Sequence, residues 1–126
     1  MPSPGPIEQA ITFMWERYSE PLSLTDIARS AALSRFHFSR VFKEAMGVSP
    51  GQFLTAVRMH HAKHMLLATS MNVVDIAVAV GYSSLGSFTN RFTDSVGVTP
   101  GQFRRAAPPG IEPPEAPAGQ LTPMTG

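Results

Sequence analysis

Residues 26–53 read Asp26-Ile27-Ala28, then Phe38 and Phe42, then Gly47-Val48-Ser49-Pro50-Gly51-Gln52-Phe53. The same pattern returns as Asp75-Ile76-Ala77, then Phe88 and Phe92, then Gly97-Val98-Thr99-Pro100-Gly101-Gln102-Phe103. The offset between the copies is 49 residues at the first block and 50 from the phenylalanines onward, so one residue is inserted between two short helices. The repeat predicts two copies of a helix, a tight turn and a second helix.

Each copy carries the start and stop signals of two consecutive helices. Ser23 precedes Asp26 by three residues, as Asn72 precedes Asp75, which is typical of an N-cap with an acid in the first turn. Gly47 and Gly97 then end the second helices, and a Ser-Pro or Thr-Pro pair begins the next ones. Ser34 and one of Ser83 and Ser84 are the predicted caps of those second helices.

The turn between the two helices differs between the copies. Gly81 adopts a positive φ at no steric cost, but its counterpart in the first copy is Ala32. An alanine held in the left-handed region costs about 1 kcal/mol. We therefore expect the first turn to be strained where the second is not.

The remaining pattern from Ile7 to Phe103 is also helical. A first helix of about three turns carries the stripe Ile7, Ile11, Met14 and Tyr18. A long helix from Pro50 to about Ala68 is apolar on more than one side, which is expected of a rigid spacer that packs against a lobe at each end. The prediction is an all-α domain over residues 7–106, with a disordered N-terminus (1–6) and a disordered proline-rich tail (107–126).

Composition excludes several classes of protein. The chain of 126 residues is one domain's worth, and 43% hydrophobic residues suffice for a compact core. It has no cysteine, which excludes disulfides, cysteine nucleophiles and cysteine-ligated zinc. No signal peptide and no apolar run of about 18 residues is visible, so we expect a cytoplasmic protein with no membrane contact.

The formal net charge of +1 conceals an uneven distribution. All ten Arg and Lys residues but only seven of the nine acids fall within residues 7–107, which gives the folded part about +3. Arg35, Arg40 and Lys43 gather within nine residues. Two protruding helices of one kind, the first of them basic, suit successive grooves of one DNA duplex.

The whole succession resembles the DNA-binding domain of the AraC/XylS family of bacterial transcription regulators over residues 7–105. The resemblance rests on both repeat copies, their turns and terminators, and on Arg58-Met-x2-Ala62-x2-Met65-Leu66 between them. It implies seven helices, two helix-turn-helix units and a connecting helix, with the second helix of each unit in the major groove. It implies double-stranded DNA as the partner.

On the first recognition helix, the face opposite Phe38 and Phe42 carries the candidate DNA contacts. Arg40 suits a bidentate contact with guanine, Phe36 suits packing on a thymine methyl group, and the Ser39 hydroxyl can donate to or accept from a base. The resemblance implies base contact at all three positions. Arg35 and Lys43, near the helix ends, suit phosphates, as does His37. The alternative for each of these residues is an ordinary solvated helix face.

The second recognition helix offers a weaker set. Leu85 suits contact with a thymine methyl group and Asn90 suits a contact with adenine, but Gly86 has no side chain that could contact a base. Ser84, Ser87 and Arg91 fit phosphate contacts, and a unit that only holds the backbone is as good an interpretation as one that reads bases. We therefore expect most sequence specificity in the first unit.

The histidines and the remaining basic residues give no catalytic or metal site. His60 and His64 have zinc-pair spacing, but His61 stands where a zincin needs glutamate, and it lies on the apolar stripe as a packed side chain. Arg58 is predicted to pair with an acid such as Asp75. The other basic residues are interpreted by default as surface charges: Arg17, Arg29, Lys63, Arg104 and Arg105. Arg104 and Arg105 are also able to reach a phosphate.

No cofactor is expected, and the chain is expected to be a monomer. An enzyme is the weak alternative, because no converging nucleophile, base or metal ligands are visible. A protein-interaction module is the other, because the same exposed helices suit docking on RNA polymerase.

Overall fold

The computed structural model describes residues 3–106; Met1, Pro2 and the predicted tail, 107–126, lie outside the described residues. Seven helices and no strand occur within that range, which confirms the all-α prediction. The helices are α1 (Pro6–Arg17), α2 (Leu24–Ser30), α3 (Arg35–Met46), α4 (Pro50–Ala68), α5 (Val73–Ala79), α6 (Leu85–Val96) and α7 (Pro100–Ala106).

Helix α1 begins at Pro6, one residue before the predicted domain boundary. Proline suits the first helical position because its φ is already helical and it has no N–H to leave unpaired. The Gly5 N–H donates to Glu8 Oε1 at 2.9 Å, and Gln9 Nε2 donates to the Pro4 carbonyl at 3.0 Å. Residues 4–6, which the sequence assigned to a disordered terminus, are therefore tied to the helix.

The repeat forms two helix-turn-helix units, which we call the first unit (α2 and α3) and the second unit (α5 and α6). The Asp26 N–H donates to Ser23 Oγ at 3.1 Å, while the Ser23 N–H donates to the Asp26 carboxylate at 2.9 Å and lowers its pKa. Asn72 caps α5 in the same place with one bond of 2.8 Å. These contacts confirm the predicted helix starts.

The two turns differ as the sequence predicts. Ala32 has φ of 59°, and Gly81 has φ of 103° at the equivalent place. A Cβ at Gly81 would lie 2.9 Å from the Tyr18 carbonyl oxygen, so a close approach of two backbones also excludes a side chain there. Ala32 therefore carries the conformational strain of a left-handed alanine, and Gly81 in the second turn does not.

Each unit has its own hydrophobic core. In the first, Phe38 and Phe42 are fully buried against Met14 and Trp15 of α1 and Ile27 of α2. In the second, Phe88 and Phe92 are fully buried among residues that include Leu66, Ile76 and Val80. Complete burial of a phenylalanine contributes about 1.5–3 kcal/mol, so these rings are major anchors of the recognition helices.

Helix α4 supplies side chains to both cores. Phe53, Leu54 and Val57 enter the first core, while Met59, Ala62 and Leu66 enter the second. This division explains why the helix is apolar on more than one side, and it confirms the predicted spacer. Of the helices described within residues 3–106, none combines the length and apolarity needed to cross a bilayer.

Candidate nucleic-acid interface

Two buried rings fix the rotation of the first recognition helix, α3. Phe38 and Phe42 stand one helical turn apart with ring centroids 5.4 Å from each other and no exposed surface. Ser34 Oγ accepts the His37 N–H at 3.3 Å and so begins the helix, and Gly47 ends it with φ of 79°. The opposite side of a helix held at both ends and along one face must point outward.

The outward face of α3 carries the residues predicted to contact DNA. Arg35, Phe36, His37, Arg40 and Lys43 are exposed, and Ser39, predicted with them, is half-buried. Phe36 is 77% exposed, which is a large apolar surface to leave in water. The structure thus supplies charge and an apolar contact on one short helix.

The side chains of this face touch one another in pairs. The Arg35 guanidinium lies over the Phe36 ring at 5.0 Å from its centroid, a cation-π contact. Arg40 Nη2 lies 3.1 Å from His37 Nδ1, and because a guanidinium only donates, this ring nitrogen is the acceptor. Both arginines are therefore held near the helix surface before any ligand arrives.

A second basic side chain borders the start of α3. Arg29 of α2 and Arg35 line one open depression of about 420 Å³ together with Thr25 and Ser34. From its sequence position alone, Arg29 is expected to be an ordinary surface charge. The turn brings residues 29 and 35 to the same surface, and the helical period of α2, which buries Ile27 and Ala28 and turns Arg29 outward, is the signal that would have found it.

The second recognition helix, α6, presents a different face on the same framework. Leu85 is 42% exposed, and Ser87, Asn90 and Arg91 are exposed. Ser84 is the N-cap, with its Oγ accepting the Ser87 N–H at 3.1 Å, which decides between the two predicted serines. A side chain at Gly86 would meet open space, so nothing structural requires glycine there.

The two units differ in charge. The first, residues 24–46, has four basic and two acidic residues, whereas the second, residues 73–96, has one basic residue, Arg91, and two acids. Arg91 borders an open cleft of about 550 Å³ between α4 and α6, which Lys63 and Asp94 also line. The positive potential that attracts phosphates is therefore concentrated on the first unit.

The predicted ion pair between Arg58 and Asp75 is wrong. Arg58 Nε donates to the Tyr18 carbonyl and Arg58 Nη2 to the Glu20 carbonyl, each at 2.8 Å, while its guanidinium lies 5.6 Å from the Tyr82 ring centroid. Burial lowers the pKa of Arg58, and Tyr82 offsets part of that effect. A guanidinium beside the Tyr18 carbonyl, at the C-cap of α1, interacts favourably with the helix dipole.

Arg104 is not the ordinary surface charge that the sequence predicts. Arg104 Nε donates to the Leu66 carbonyl at 3.0 Å, and its Nη2 donates to the Thr69 carbonyl at 3.1 Å. This arginine completes the end of α4, where backbone oxygens lack intrahelical partners. Arg105, on the same helix, is exposed.

His61 is packed between helices, as predicted. Its ring stacks on Tyr18 with 3.9 Å between centroids and 3° between planes, and it meets the edge of Trp15 at 5.1 Å. Burial, with His60 and His64 nearby, lowers the pKa of His61 to about 4. Within residues 3–106 no three potential ligands among His, Cys, Asp and Glu group together as a metal site.

Comparisons with known proteins agree with this architecture. A family model described as "Helix-turn-helix domain" matches residues 27–106. The chain is 33% identical over 98 residues to the lactose operon transcription activator of Staphylococcus xylosus, and 29% identical over 99 residues to the melibiose operon regulatory protein of Escherichia coli K12. These alignments take in 78% and 79% of this chain but 35% and 33% of the relatives, so the chain spans about a third of their length.

Similar solved structures include DNA-binding domains and domains of regulators. The C-terminal domain of AraT, a response regulator from Geobacillus stearothermophilus, is 32% identical with a TM-score of 0.79, over 83% of this chain and 87% of that chain. An AraC-type regulator from Chromobacterium violaceum is 32% identical with a TM-score of 0.75, over 82% and 94%. The DNA-binding domain of AdpA, solved with a target DNA, is 25% identical with a TM-score of 0.78, over 82% and 93%.

The fold, the exposed recognition helices and these matches define a helix-turn-helix DNA-binding domain. The chain belongs to the AraC/XylS family of transcription regulators. The proteins to which it is similar are named as transcription regulators and not as enzymes.

Proposed function

We propose that this chain binds one asymmetric promoter site as a monomer in the bacterial cytoplasm, with α3 and α6 in successive major grooves. The observation that carries the proposal is the pair of recognition helices, capped and anchored alike but different on their outward faces. Two identical faces would suit a symmetric site, whereas two different faces joined by one helix suit a site whose halves differ.

The first unit reads sequence in this account. Arg40 donates two hydrogen bonds to a guanine edge, Phe36 packs on a thymine methyl, and Ser39 meets a neighbouring base. Arg35, His37 and Lys43 bind the flanking phosphates, and Arg29 joins them across the turn. The exposure of Phe36 and the clustering of Arg29 with Arg35 support this division of roles.

The second unit mainly holds the DNA backbone. Ser84, Ser87 and Arg91 contact phosphate near the start and middle of α6, while Leu85 and Asn90 add a methyl contact and one adenine contact. The lower charge of this unit and the missing side chain at Gly86 support a smaller share of specificity. The AdpA domain, a similar fold solved with its target DNA, supports duplex DNA as the ligand.

Selection of bound duplexes from a random pool tests the proposal. We expect an asymmetric motif about two helical turns long, with a strongly constrained half and a weakly constrained half. A palindromic motif, or one confined to a single half-site, contradicts it.

Docking on RNA polymerase is the second candidate function, and the exposed face of α5 favours it. Val74 and Val78 are 50% and 63% exposed, where the first unit has Thr25 and Arg29. Valines in these positions suit a protein partner better than a phosphate.

A salt titration separates the two functions. With Arg35, Lys43, Arg91 and helix N-termini on phosphates, log affinity for DNA should fall against log salt with a slope of about −3 to −6. A slope near zero contradicts DNA binding through these residues and favours protein docking.

A further inference from the structure

The two hydrophobic cores meet at a small junction beside α4. Tyr18, which follows α1, packs against both clusters, although the buried residues of α1, Ala10, Met14 and Trp15, all belong to the first core. On its other side, the turn of the second unit approaches the same residue: a Cβ placed at Gly81 would be 2.9 Å from the Tyr18 carbonyl oxygen. The end of α1, which packs on the first core, therefore lies directly against the turn of the second unit.

Arg58 holds this junction together from α4. Its Nε and Nη2 donate at 2.8 Å to the carbonyls of Tyr18 and Glu20, and its guanidinium lies against the Tyr82 ring. The same Nε would be 3.1 Å from a Cβ at Gly81. One side chain thus contacts both the end of α1, which packs on the first core, and the turn of the second unit.

We propose that Arg58 is the positioning residue that fixes the orientation of the second unit relative to the first. A single helix resists stretching, but it bends and allows the elements packed on it to rock. A second contact away from the helix axis removes that freedom. Arg58 supplies it by pinning the end of α1 against the Gly81 turn. This inference rests on the proposed two-groove binding. A fixed orientation of the two units determines the one spacing of the two half-sites at which both recognition helices bind together.

Arg104 provides a matched control within the same chain. It also donates from Nε and Nη2 to two carbonyls at a helix end, at 3.0 and 3.1 Å. Its partners Leu66 and Thr69 belong to the end of α4, and the neighbouring Phe103 packs on the second core. Losing Arg104 removes similar hydrogen bonds without touching the junction, so the pair separates general loss of stability from loss of orientation.

The first test needs no DNA. Because the chain has no cysteine, spin labels attach specifically after Glu44→Cys and Asp94→Cys, which are exposed equivalent positions on α3 and α6. Electron-electron double resonance then measures the distance between the two recognition helices. Arg58→Met keeps an apolar stem and removes the donors, and we expect it to broaden the distance distribution about twofold or more, as at a released hinge. Arg104→Met should leave the width unchanged.

A milder variant guards against unfolding. Arg58→Lys keeps the charge but loses the planar fork, so it should give an intermediate width. The proposal is overturned if both Arg58 variants, shown folded by circular dichroism, keep the parental width, or if Arg104→Met broadens the distribution equally. A parental distribution as broad as that of Arg58→Met also overturns it, since nothing would then be fixed.

The second test uses a site with one base pair inserted between its halves, which rotates the second half by about 34–36°. The unsubstituted chain should bind this site about tenfold more weakly than the native spacing, the cost of about one lost base contact. Arg58→Met should prefer the native spacing over the inserted site by about threefold or less, because its two units can adjust to the insertion. Arg104→Met should keep the full tenfold preference. A full tenfold preference in Arg58→Met would contradict the proposal. If even the unsubstituted chain ignores spacing, two-groove binding fails, and the label distances still decide whether Arg58 fixes the junction.

Discussion

Arg40 is the side chain on which sequence-specific binding by the first unit most depends. It is exposed at the middle of α3, and His37 Nδ1 holds its guanidinium at 3.1 Å. We expect Arg40→Ala to lose about 1–3 kcal/mol of binding free energy on the preferred site and to relax the preference at one base pair. Asn90→Ala, the equivalent change on α6, should cost less. An unchanged selected motif for Arg40→Ala would remove this residue from base readout.

The two turns should respond unequally when alanine and glycine are exchanged. Ala32→Gly relieves the left-handed strain of about 1 kcal/mol but increases the entropy of the unfolded chain, so its unfolding free energy should change by less than about 1 kcal/mol. Gly81→Ala should destabilise by more than about 1 kcal/mol, because it combines φ of 103° with a Cβ 2.9 Å from the Tyr18 oxygen. Urea denaturation of both variants measures the difference; equal effects would contradict the close approach.

Residue pairing was less predictable than residue placement. The sequence paired Arg58 with Asp75 because opposite charges are visible in a sequence, whereas the carbonyls of Tyr18 and Glu20 are present at every position and carry no signal. Asp75 instead lies exposed in the first turn of α5, where the helix dipole favours an acid. The same limitation hid the partners of Arg104 at the end of α4.

At the scale of elements, the contact of α1 with α4 contains a histidine whose protonation opposes folding. The unfolded chain takes up a proton on His61 near pH 6.5, while the folded chain, with pKa of about 4, does not. Stability should therefore fall as pH drops from 6.5 towards 4. Between pH 7 and 5 the loss should be about 1 kcal/mol, after discounting for solvent around a partly buried ring.

Chemical denaturation at the two pH values measures this loss. His61→Phe should remove much of it while retaining the stack on Tyr18; the neighbouring His60, whose pKa burial also lowers, accounts for a remainder. A pH dependence unaffected by His61→Phe would show that the ring protonates freely in the folded chain.

Helix boundaries followed from short-range rules that a sequence states directly. Pro50 and Ala68 bound α4 as predicted, because Ser49 and Pro50 begin it through a cap and a fixed φ. The buried face of α1 was less predictable. The expected stripe included Ile7 and Ile11, yet these are only partly buried, and Ala10 and Trp15 lie in the core beside Met14. Which face of a helix is buried depends on partners that lie far away in the sequence.

At the scale of the molecule, the repeat predicted two units and their joining helix but not their relationship. The separate cores follow from the phenylalanine pairs, which the sequence shows twice. The junction at Tyr18, Arg58 and Gly81 joins residues up to 63 positions apart and has no counterpart in the repeat. DNA contacts remain predictions because they depend on a partner whose sequence is not written in the chain.

The central claim is that two different recognition helices, held as one rigid pair, meet successive grooves on one face of the duplex. Footprinting on a selected site and on a derivative with five base pairs inserted between its halves tests it most directly. We predict protection over about two turns on one face of the selected site, and loss of the second unit's protection in the derivative, because half a turn moves that groove to the far side. Symmetric protection, or protection that persists at half-turn spacing, would contradict the claim.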